Sequence, residues 1–349
     1  SRLVASFAQF FPLKYGPIIF NSIAITFKIL LINFLFSKRF SKVIPKTSTK
    51  IVLAFLYIAL PNTEEVFANI TNMHWYLAIL AFMVIILDVS KKTYWKIFDA
   101  IVIILSGLSG PFVILLVPIA IVRWMIKKDK EFFILFLLLI ACSLLQGVFI
   151  LLTGFDTRSS MELGVSLFMF IKIVSGQIFF GVLIGKRGFN WLYNHDVLSN
   201  VLYMITFLIG SSVILFSVVR AQWELKLFLL FSALVSIISL AKPMASLSEE
   251  QWYIMSLPGA ATRYWFIPIL GFVMTILFLL QRNNHTYTKI VGICLFCIMS
   301  IGIFGDWFHH KWEDAGYSEY VATFETLSIG ETIKIPIQPK GWDMTIIKK

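Results

Sequence analysis

A polar, acidic stretch interrupts the apolar first third of this 349-residue chain, and it reads Pro61-Asn62-Thr63-Glu64-Glu65-Val66-Phe67-Ala68-Asn69-Ile70-Thr71-Asn72-Met73-His74-Trp75-Tyr76. Apolar residues 51–60 precede it, and the apolar segment 73–89 overlaps its end. Ionisable groups between two such segments are expensive to place in a membrane and are more often functional than incidental. The stretch therefore predicts one wall of an active site at a membrane surface. A polar turn without chemistry is the alternative.

The composition of the chain is that of a membrane protein. It is 58% hydrophobic and 14% charged, with a mean hydropathy of +0.85, whereas a soluble domain is about 25% charged. Several apolar runs approach the roughly 20 residues that span a bilayer. We predict an all-α polytopic membrane protein with about 9–11 transmembrane or re-entrant helices, and with in-plane helices on its outer face. Residues 132–140 are apolar on every side, which disfavours the alternating strands of a β-barrel.

The basic residues indicate which loops face the cytoplasm. The net charge is +11, and Lys and Arg cluster in short loops at 37–50, 91–96 and 123–130, as expected for cytoplasmic loops under the positive-inside rule. This distribution does not indicate a nucleic-acid partner, and it places the Glu64-Glu65 loop on the outer face. Cysteines in apolar segments without a nearby His indicate no metal or redox site. They are Cys142, Cys294 and Cys297.

Two segments do not fit simple spans. Residues 97–126 are broken by Gly and Pro at 106–111 and have basic residues on both flanks, which predicts two short helices that form a hairpin returning to the cytoplasm. Residues 154–197 have two interpretations. If 164–185 spans the membrane, Lys186 and Arg187 are cytoplasmic. If the segment lies in the outer interface or re-enters, Arg263 faces outward, and the charge rule favours this second arrangement.

The two ends of the chain differ from the apolar middle. Residues 331–339 alternate polar and apolar residues, and 341–346 resemble a second strand after a Pro-Lys-Gly turn. We therefore predict a transmembrane domain at 1–305 and a small extracytoplasmic cap with a β-hairpin at 306–349. The chain starts at Ser1 without a Met, and we expect a further N-terminal span upstream.

Carboxylates, cations and aromatic rings are expected together on the outer face. A carboxylate such as Glu64 or Glu65 can act as a general base towards a hydroxyl, and an Arg side chain matches the donor geometry that a phosphate requires. Each group also has a structural interpretation: solvated turn, helix cap, local hydrogen bond, snorkelling anchor or interfacial aromatic belt. The candidates for substrate binding are Arg263, Tyr264, Arg158, Lys172, Asn69, Asn72, His74 and Trp75.

This layout resembles the GT-C class of integral-membrane glycosyltransferases. The resemblance rests on spans of uneven length, long outer loops, an outer acidic motif between early spans and an outer Arg263-Tyr264 near a late span. It implies a polyprenyl-phosphate-linked sugar as donor and catalysis on the non-cytoplasmic face. The class usually carries its main carboxylate in the first outer loop, which here would lie upstream of Ser1. Glu64 and Glu65 would then match its second acidic position, while Arg263, and Arg158 or Lys172, would hold the phosphate.

The resemblance predicts a multi-pass glycosyltransferase of the bacterial inner membrane, with its active site facing the periplasm or cell exterior. Its partners would be the lipid bilayer, the lipid-linked sugar, and a polysaccharide or lipid-linked glycan as acceptor. No metal site is predicted, although a divalent cation stays open as a cofactor. Two alternatives also stay open. One is a polysaccharide polymerase or ligase of the O-antigen type, and the other is a non-enzymatic transporter or flippase of lipid-linked sugars.

Overall fold

The computed structural model describes residues 2–153, 161–281, 285–308, 314–337 and 342–348. Helices account for most of these residues, and short 3-10 turns link several of them. The helices are α1 (Arg2–Ala8), α2 (Gly16–Phe36), α3 (Thr47–Ile58), α4 (Met73–Ile86), α5 (Thr93–Ser109), α6 (Phe112–Lys127), α7 (Phe132–Thr153), α8 (Leu167–Ile173), α9 (Gly181–Leu183), α10 (Gly185–Asn194), α11 (Asn200–Arg220), α12 (Trp223–Ala241), α13 (Gln251–Ser256), α14 (Phe266–Leu279), α15 (Thr286–Trp307) and α16 (Tyr317–Thr326).

Six helical segments within the described ranges are long and apolar enough to cross a membrane. Several of them present most of their apolar side chains outward. Only 11% of the most apolar window of α7 is buried inside the protein, which is expected of a helix that faces lipid. These segments confirm a polytopic α-helical membrane protein. They are Leu13–Phe36, Phe132–Thr153, Asn200–Arg220, Trp223–Ala241, Thr262–Leu279 and Thr286–Trp307.

Two short helices, α3 and α4, flank the acidic loop; α4 lies at the centre of the bundle, whereas one face of α3 is exposed. With 12 and 14 residues they extend only roughly 18 and 21 Å, which is less than the roughly 30 Å of a bilayer core. All of α4 except His74 is buried. The loop between them, residues 59–72, therefore lies below one surface of the bundle, and we call that surface the outer end. Irregular backbone at such depth is tolerated only against protein or a wet cavity.

Ion pairs gather the basic loops at the opposite end, which we call the basic end. Arg39, just after α2, forms a bidentate pair with Asp99 of α5, with N–O distances of 2.7 and 2.9 Å. Lys127, at the end of α6, pairs with Asp88 after α4. Both ends of the α5–α6 hairpin thus lie beside the loops that follow α2 and α4. The predicted hairpin is confirmed.

The most buried of these contacts surrounds Arg123 of α6. Its guanidinium is fully buried, donates to both oxygens of Asp129 at 2.8 and 2.7 Å and to the carbonyl of Leu87 at 2.9 Å, and lies 3.9 Å from the ring centre of Phe132. Burial acts to raise the pKa of Asp129, but the hydrogen bonds and charge of Arg123 outweigh it, so this pKa lies below its usual value. The contacts join the ends of α4 and α6 to the start of α7.

Segment 161–194 returns to the side on which it begins. Near its start, the backbone N–H of Gln251 donates to Glu162 and that of Trp252 to Leu163. Near its end, Lys186 pairs with Glu64 of the acidic loop. Because both ends contact residues at the outer end of the bundle, the continuous helical run through α8, a π-helical turn at Val174–Phe180 and α9 lies along that end and does not cross the bundle. This agrees with the second of the two arrangements, in which Arg263 lies at the same end as the acidic loop.

The predicted C-terminal β-hairpin is present and lies at the outer end. Strands β1 (Thr332–Ile337) and β2 (Trp342–Ile347) pair antiparallel, with Thr332 opposite Ile347. The hydroxyl of Tyr317, at the start of α16, donates to the carbonyl of Leu13 at 2.8 Å, which attaches the cap to the start of α2. The turn between the strands and residues 309–313 lie outside the described residues.

The hairpin α5–α6 packs closely on α7 at Gly107. Gly107 lies on α5, and a Cβ atom added to it would lie 2.6 Å from Cβ of Cys142 on α7. A Cβ atom added at Gly147, elsewhere on α7, would meet nothing within 4 Å. We expect Gly107→Ala to destabilise the protein by about 1–3 kcal/mol through overpacking. Gly147→Ala is the control, since it gains the same helix propensity without a clash. Thermal unfolding in detergent measures both, and equal melting temperatures would contradict the close packing.

Candidate functional site

The acidic loop brings two carboxylates to two cations from distant segments. Glu64 and Glu65 begin a 3-10 turn, Glu64–Val66, in the loop between α3 and α4, below the surface of the outer end. Glu64 pairs with Lys186 at the start of α10, and Glu65 pairs with Arg263 in the turn before α14, at 2.8 Å. The four side chains retain between 29% and 37% exposure, so water reaches them. We call these four residues the outer cluster.

Arg263 is held in one orientation by several contacts. Its Nη1 donates to Glu65, and its Nη2 donates to the carbonyl of Met244 at 2.5 Å. Its guanidinium lies 4.7 Å from the ring centre of Tyr264, whose hydroxyl accepts from the N–H of Met244 at 2.9 Å. A guanidinium fixed in this way presents its remaining donors in a constant direction, which suits recognition of an oxyanion.

Asp306 holds the acidic loop and α10 together beneath the cluster. Its carboxylate accepts three backbone N–H groups: Asn62 at 3.1 Å, Lys186 at 2.7 Å and Arg187 at 3.0 Å. Two of these donors are in the first turn of α10, where a negative charge is favourable. Gly185 precedes them at φ +70, and an added Cβ there would lie 2.7 Å from the carboxylate. Asp306 therefore fixes the position from which Lys186 reaches Glu64.

A second buried contact joins the loop to the re-entrant segment. The side chain of Asn62 donates to both the backbone and the side-chain oxygen of Gln177, each at 3.1 Å. Gln177 is fully buried in the π-helical turn and donates onward to the carbonyls of Met255 and Leu257 at 2.8 and 2.6 Å. A polar side chain inside an apolar helix is thus satisfied by the segments that carry the outer cluster.

Asn69, Asn72 and His74 shape the loop rather than enter the cluster. The oxygen of Asn69 accepts the N–H of Thr71 at 2.9 Å, and the amide of Asn72 donates to the carbonyl of Glu65 at 2.8 Å. Nδ1 of His74 lies 2.8 Å from the carbonyl of Thr71. The observed contacts of these three residues are those of capping and turn residues.

Trp75 lies in the wall beside the cluster. It is buried, packs on Phe112 at the tip of the α5–α6 hairpin with ring centres 4.3 Å apart, and meets Tyr264 edge to face at 6.5 Å. Its indole N–H is buried without a hydrogen-bond partner, as is that of Trp265. The aromatic residues here form packed walls rather than an exposed stacking platform.

Lys172 and Arg158 are not part of the observed cluster. Lys172 lines a separate cavity of about 380 Å³ with Tyr193, Asn194, Asp196, Leu198 and Tyr203. Its ammonium lies 4.9 Å from the ring centre of Phe168, and no described carboxylate pairs with it. Arg158 lies outside the described residues.

Three non-glycine residues next to the cluster have left-handed backbone. They are Asn62 and Ala68, on either side of the two glutamates, and Ala261, two residues before Arg263, with φ values of 53°, 51° and 51°. Such conformations cost an Ala residue about 1–2 kcal/mol and persist only where the surrounding structure determines them. The backbone on both sides of the Glu65–Arg263 pair is therefore held in place by tertiary contacts.

Sequence reasoning did not select Lys186, Asp306, Asn62 or Gln177 as site residues. One available signal is that Asp306 follows directly on the apolar run of α15 and Gln177 lies inside another, since polar groups in apolar helices require a partner. No group of three or more His, Cys, Asp or Glu residues in the described ranges is placed to hold a metal ion. Comparison with protein-family models, curated proteins and solved structures finds no match to this chain.

Proposed function

We propose that this protein is a membrane glycosyltransferase that moves a sugar from a polyprenyl-phosphate donor to a surface glycan or a lipid-linked acceptor. It would act on the extracytoplasmic face of a bacterial inner membrane. The observation that supports this proposal is the outer cluster, in which two partly exposed carboxylates each pair with a cation below the outer surface of an apolar bundle. A lipid-linked donor would reach such a depth sideways from the bilayer.

The two cations suit the leaving group. Arg263 provides a fork of donors and Lys186 a mobile ammonium, which together match the charge and oxygen arrangement of a phosphate. Each cation is now neutralised by a glutamate. A phosphate that binds both of them would compete with the glutamates and would free a carboxylate to face the acceptor. In this exchange the phosphate replaces a glutamate as the partner of each cation, so neither cation is left unpaired near the membrane.

The freed carboxylate would act as the general base. It would take the proton of the acceptor hydroxyl while the hydroxyl oxygen bonds to the anomeric carbon of the sugar. The bond from that carbon to the phosphate oxygen breaks with its electron pair on the phosphate, where Arg263 and Lys186 stabilise the charge. One base and a well-held leaving group are sufficient for this inverting substitution; a carboxylate of the cluster would be the base, and its two cations would hold the leaving group.

Reconstitution into proteoliposomes tests the proposal. We expect polyprenyl-phosphate-linked sugars, supplied singly from a panel, to be consumed when an extract of lipid-linked or surface glycans is present. Extension of a polyprenyl-pyrophosphate oligosaccharide instead would favour the polymerase or ligase alternative. Movement of a fluorescent lipid-linked sugar between leaflets, without sugar transfer, would favour a flippase. Either of these results without transfer from the monophosphate donors would reject the proposed reaction.

A further inference from the structure

Lys28 of α2 is buried without an anion. It lies 12 residues into a membrane-spanning helix and is only 8% exposed. Among the described residues, neither a carboxylate nor a hydrogen-bond acceptor contacts its ammonium. Three aromatic rings surround it instead, with ring centres at 3.7 Å for Phe67, 5.7 Å for Tyr57 and 5.9 Å for Tyr76. Cation–π contacts offset only part of the expense of a buried ammonium, which normally has a partner in a membrane.

A second unsatisfied donor lies in the same group of rings. The hydroxyl of Tyr57 is buried and has no hydrogen-bond partner. The neighbouring hydroxyl of Tyr76 is different, because it donates to the carbonyl of Val66 at 2.5 Å. Buried hydroxyl groups usually have a partner, and leaving one unsatisfied costs about 1–3 kcal/mol. An ammonium and a hydroxyl that both lack an acceptor, around one set of rings, together match the needs of an anion.

The ring of Phe67 lies over the ammonium of Lys28. Phe67 belongs to the acidic loop, two residues after Glu65, and is 55% exposed although it covers Lys28. A rotation of this one side chain would uncover the ammonium. The window of α2 that contains Lys28 is only 28% buried inside the protein, so the helix borders the lipid. A ligand with a lipid tail would therefore have direct access.

We propose that Lys28 and Tyr57 form a phosphate-binding site that the side chain of Phe67 covers. The ligand class is a phosphate ester, either the head of a membrane lipid or free inorganic phosphate. The inference rests on the proposed function in one respect, since the phosphate of the lipid-linked donor would be the anion. Lys28 would contact this phosphate from the lipid side, and Arg263 would contact it from the aqueous side. The amphipathic chemistry of the site, with rings and a cation beside lipid, favours the lipid-linked form.

Direct binding to the full-length protein in nanodiscs tests the site. The probes are radiolabelled polyprenyl phosphate, neutral polyprenol and inorganic phosphate, with no sugar present. We expect Lys28→Met to weaken binding of polyprenyl phosphate by about tenfold or more, as for the loss of a charge-assisted hydrogen bond, and Tyr57→Phe to weaken it by roughly threefold to tenfold. Phe67→Ala removes the cover, and we expect it to tighten binding.

Lys50→Met is the matched control. Lys50 is also a buried lysine, on the adjacent α3, but its ammonium donates to the hydroxyl of Ser41 at 2.8 Å at the basic end. The Lys50→Met variant should leave the binding of polyprenyl phosphate unchanged. Lys28→Arg keeps the charge and should retain most of the affinity, which separates the loss of an anion site from a folding defect. Phe67→Ala changes an exposed side chain and offers a second readout if Lys28→Met does not fold.

The possible outcomes separate the ligand sources and the two proposals. Equal binding of polyprenol and polyprenyl phosphate, or unchanged binding by Lys28→Met, would overturn the site. Competition by inorganic phosphate at similar concentration would support the site and identify free phosphate as its ligand. The binding assay contains no sugar and does not depend on catalysis. Intact binding in it, together with no glycosyl transfer in the proteoliposome assay, would reject the proposed reaction alone. Transfer that persists with Lys28→Met and unchanged donor binding would reject the Lys28 site alone.

Discussion

Asp306→Ala is expected to lower the free energy of unfolding by roughly 3 kcal/mol and to separate Lys186 from Glu64. The carboxylate accepts three backbone N–H groups from two segments, and hydrogen bonds to charged groups contribute about 1.5–3 kcal/mol each when they are lost singly. The estimate is lower than their sum because Asp306 is partly exposed and water replaces some of the bonds. Thermal or steric-trap unfolding in bilayer mimics measures the effect.

Two controls interpret the Asp306 result. Asp343→Ala removes an exposed carboxylate on β2 that lies 4.0 Å from Lys334, so its effect should be within about 0.5 kcal/mol. Asp306→Asn keeps one acceptor oxygen but no charge, and it should fall between the wild type and Asp306→Ala. A melting temperature of Asp306→Ala equal to that of the wild type would show that the three N–H groups are satisfied without this side chain.

The glutamine variants of the two glutamates are expected to have the largest effect on activity. Whichever of Glu64 and Glu65 acts as base, its replacement by Gln should lower kcat by about 10²–10⁴-fold with little change in fold, because Gln keeps the shape but accepts no proton. The other glutamate only neutralises a cation until the donor binds. Its replacement should change the KM for the lipid-linked donor more than kcat. The measurement is steady-state transfer in proteoliposomes.

Glu249→Gln and a double-mutant cycle complete this experiment. Glu249 is an exposed carboxylate of the outer loop before α13, so its replacement should leave both constants unchanged. Arg263→Met should raise the donor KM, and combining it with Glu65→Gln should give less than the summed effects, since the two side chains form one pair. Near wild-type kcat for both Glu64→Gln and Glu65→Gln, at normal protein levels, would exclude these residues as the base.

Some features follow from local sequence because their causes are local. The breaks at Gly110-Pro111 and the basic residues on both flanks predict the α5–α6 hairpin, since helix termination and loop charge act over a few residues. The alternation in 332–337 predicts β1 for the same reason. The ambiguity of 154–197 is also instructive. Its apolar length permits a span, and only the contacts of Glu162 and Lys186 at one end of the bundle decide that the helical run between them does not cross it.

The sequence alone determined the membrane class, the α5–α6 hairpin and the C-terminal β-hairpin, through run length, charge placement and periodicity. The tertiary structure alone decided which groups meet. Lys186 is 122 residues from Glu64, Arg263 is 198 from Glu65, and Asp306 is 244 from Asn62. Such pairings have no periodic signal in one sequence, because they depend on how far each short helix carries its loop into the bundle. The same packing places Phe67 over Lys28, and it brings the acidic stretch against the start of α10 and the turn before α14.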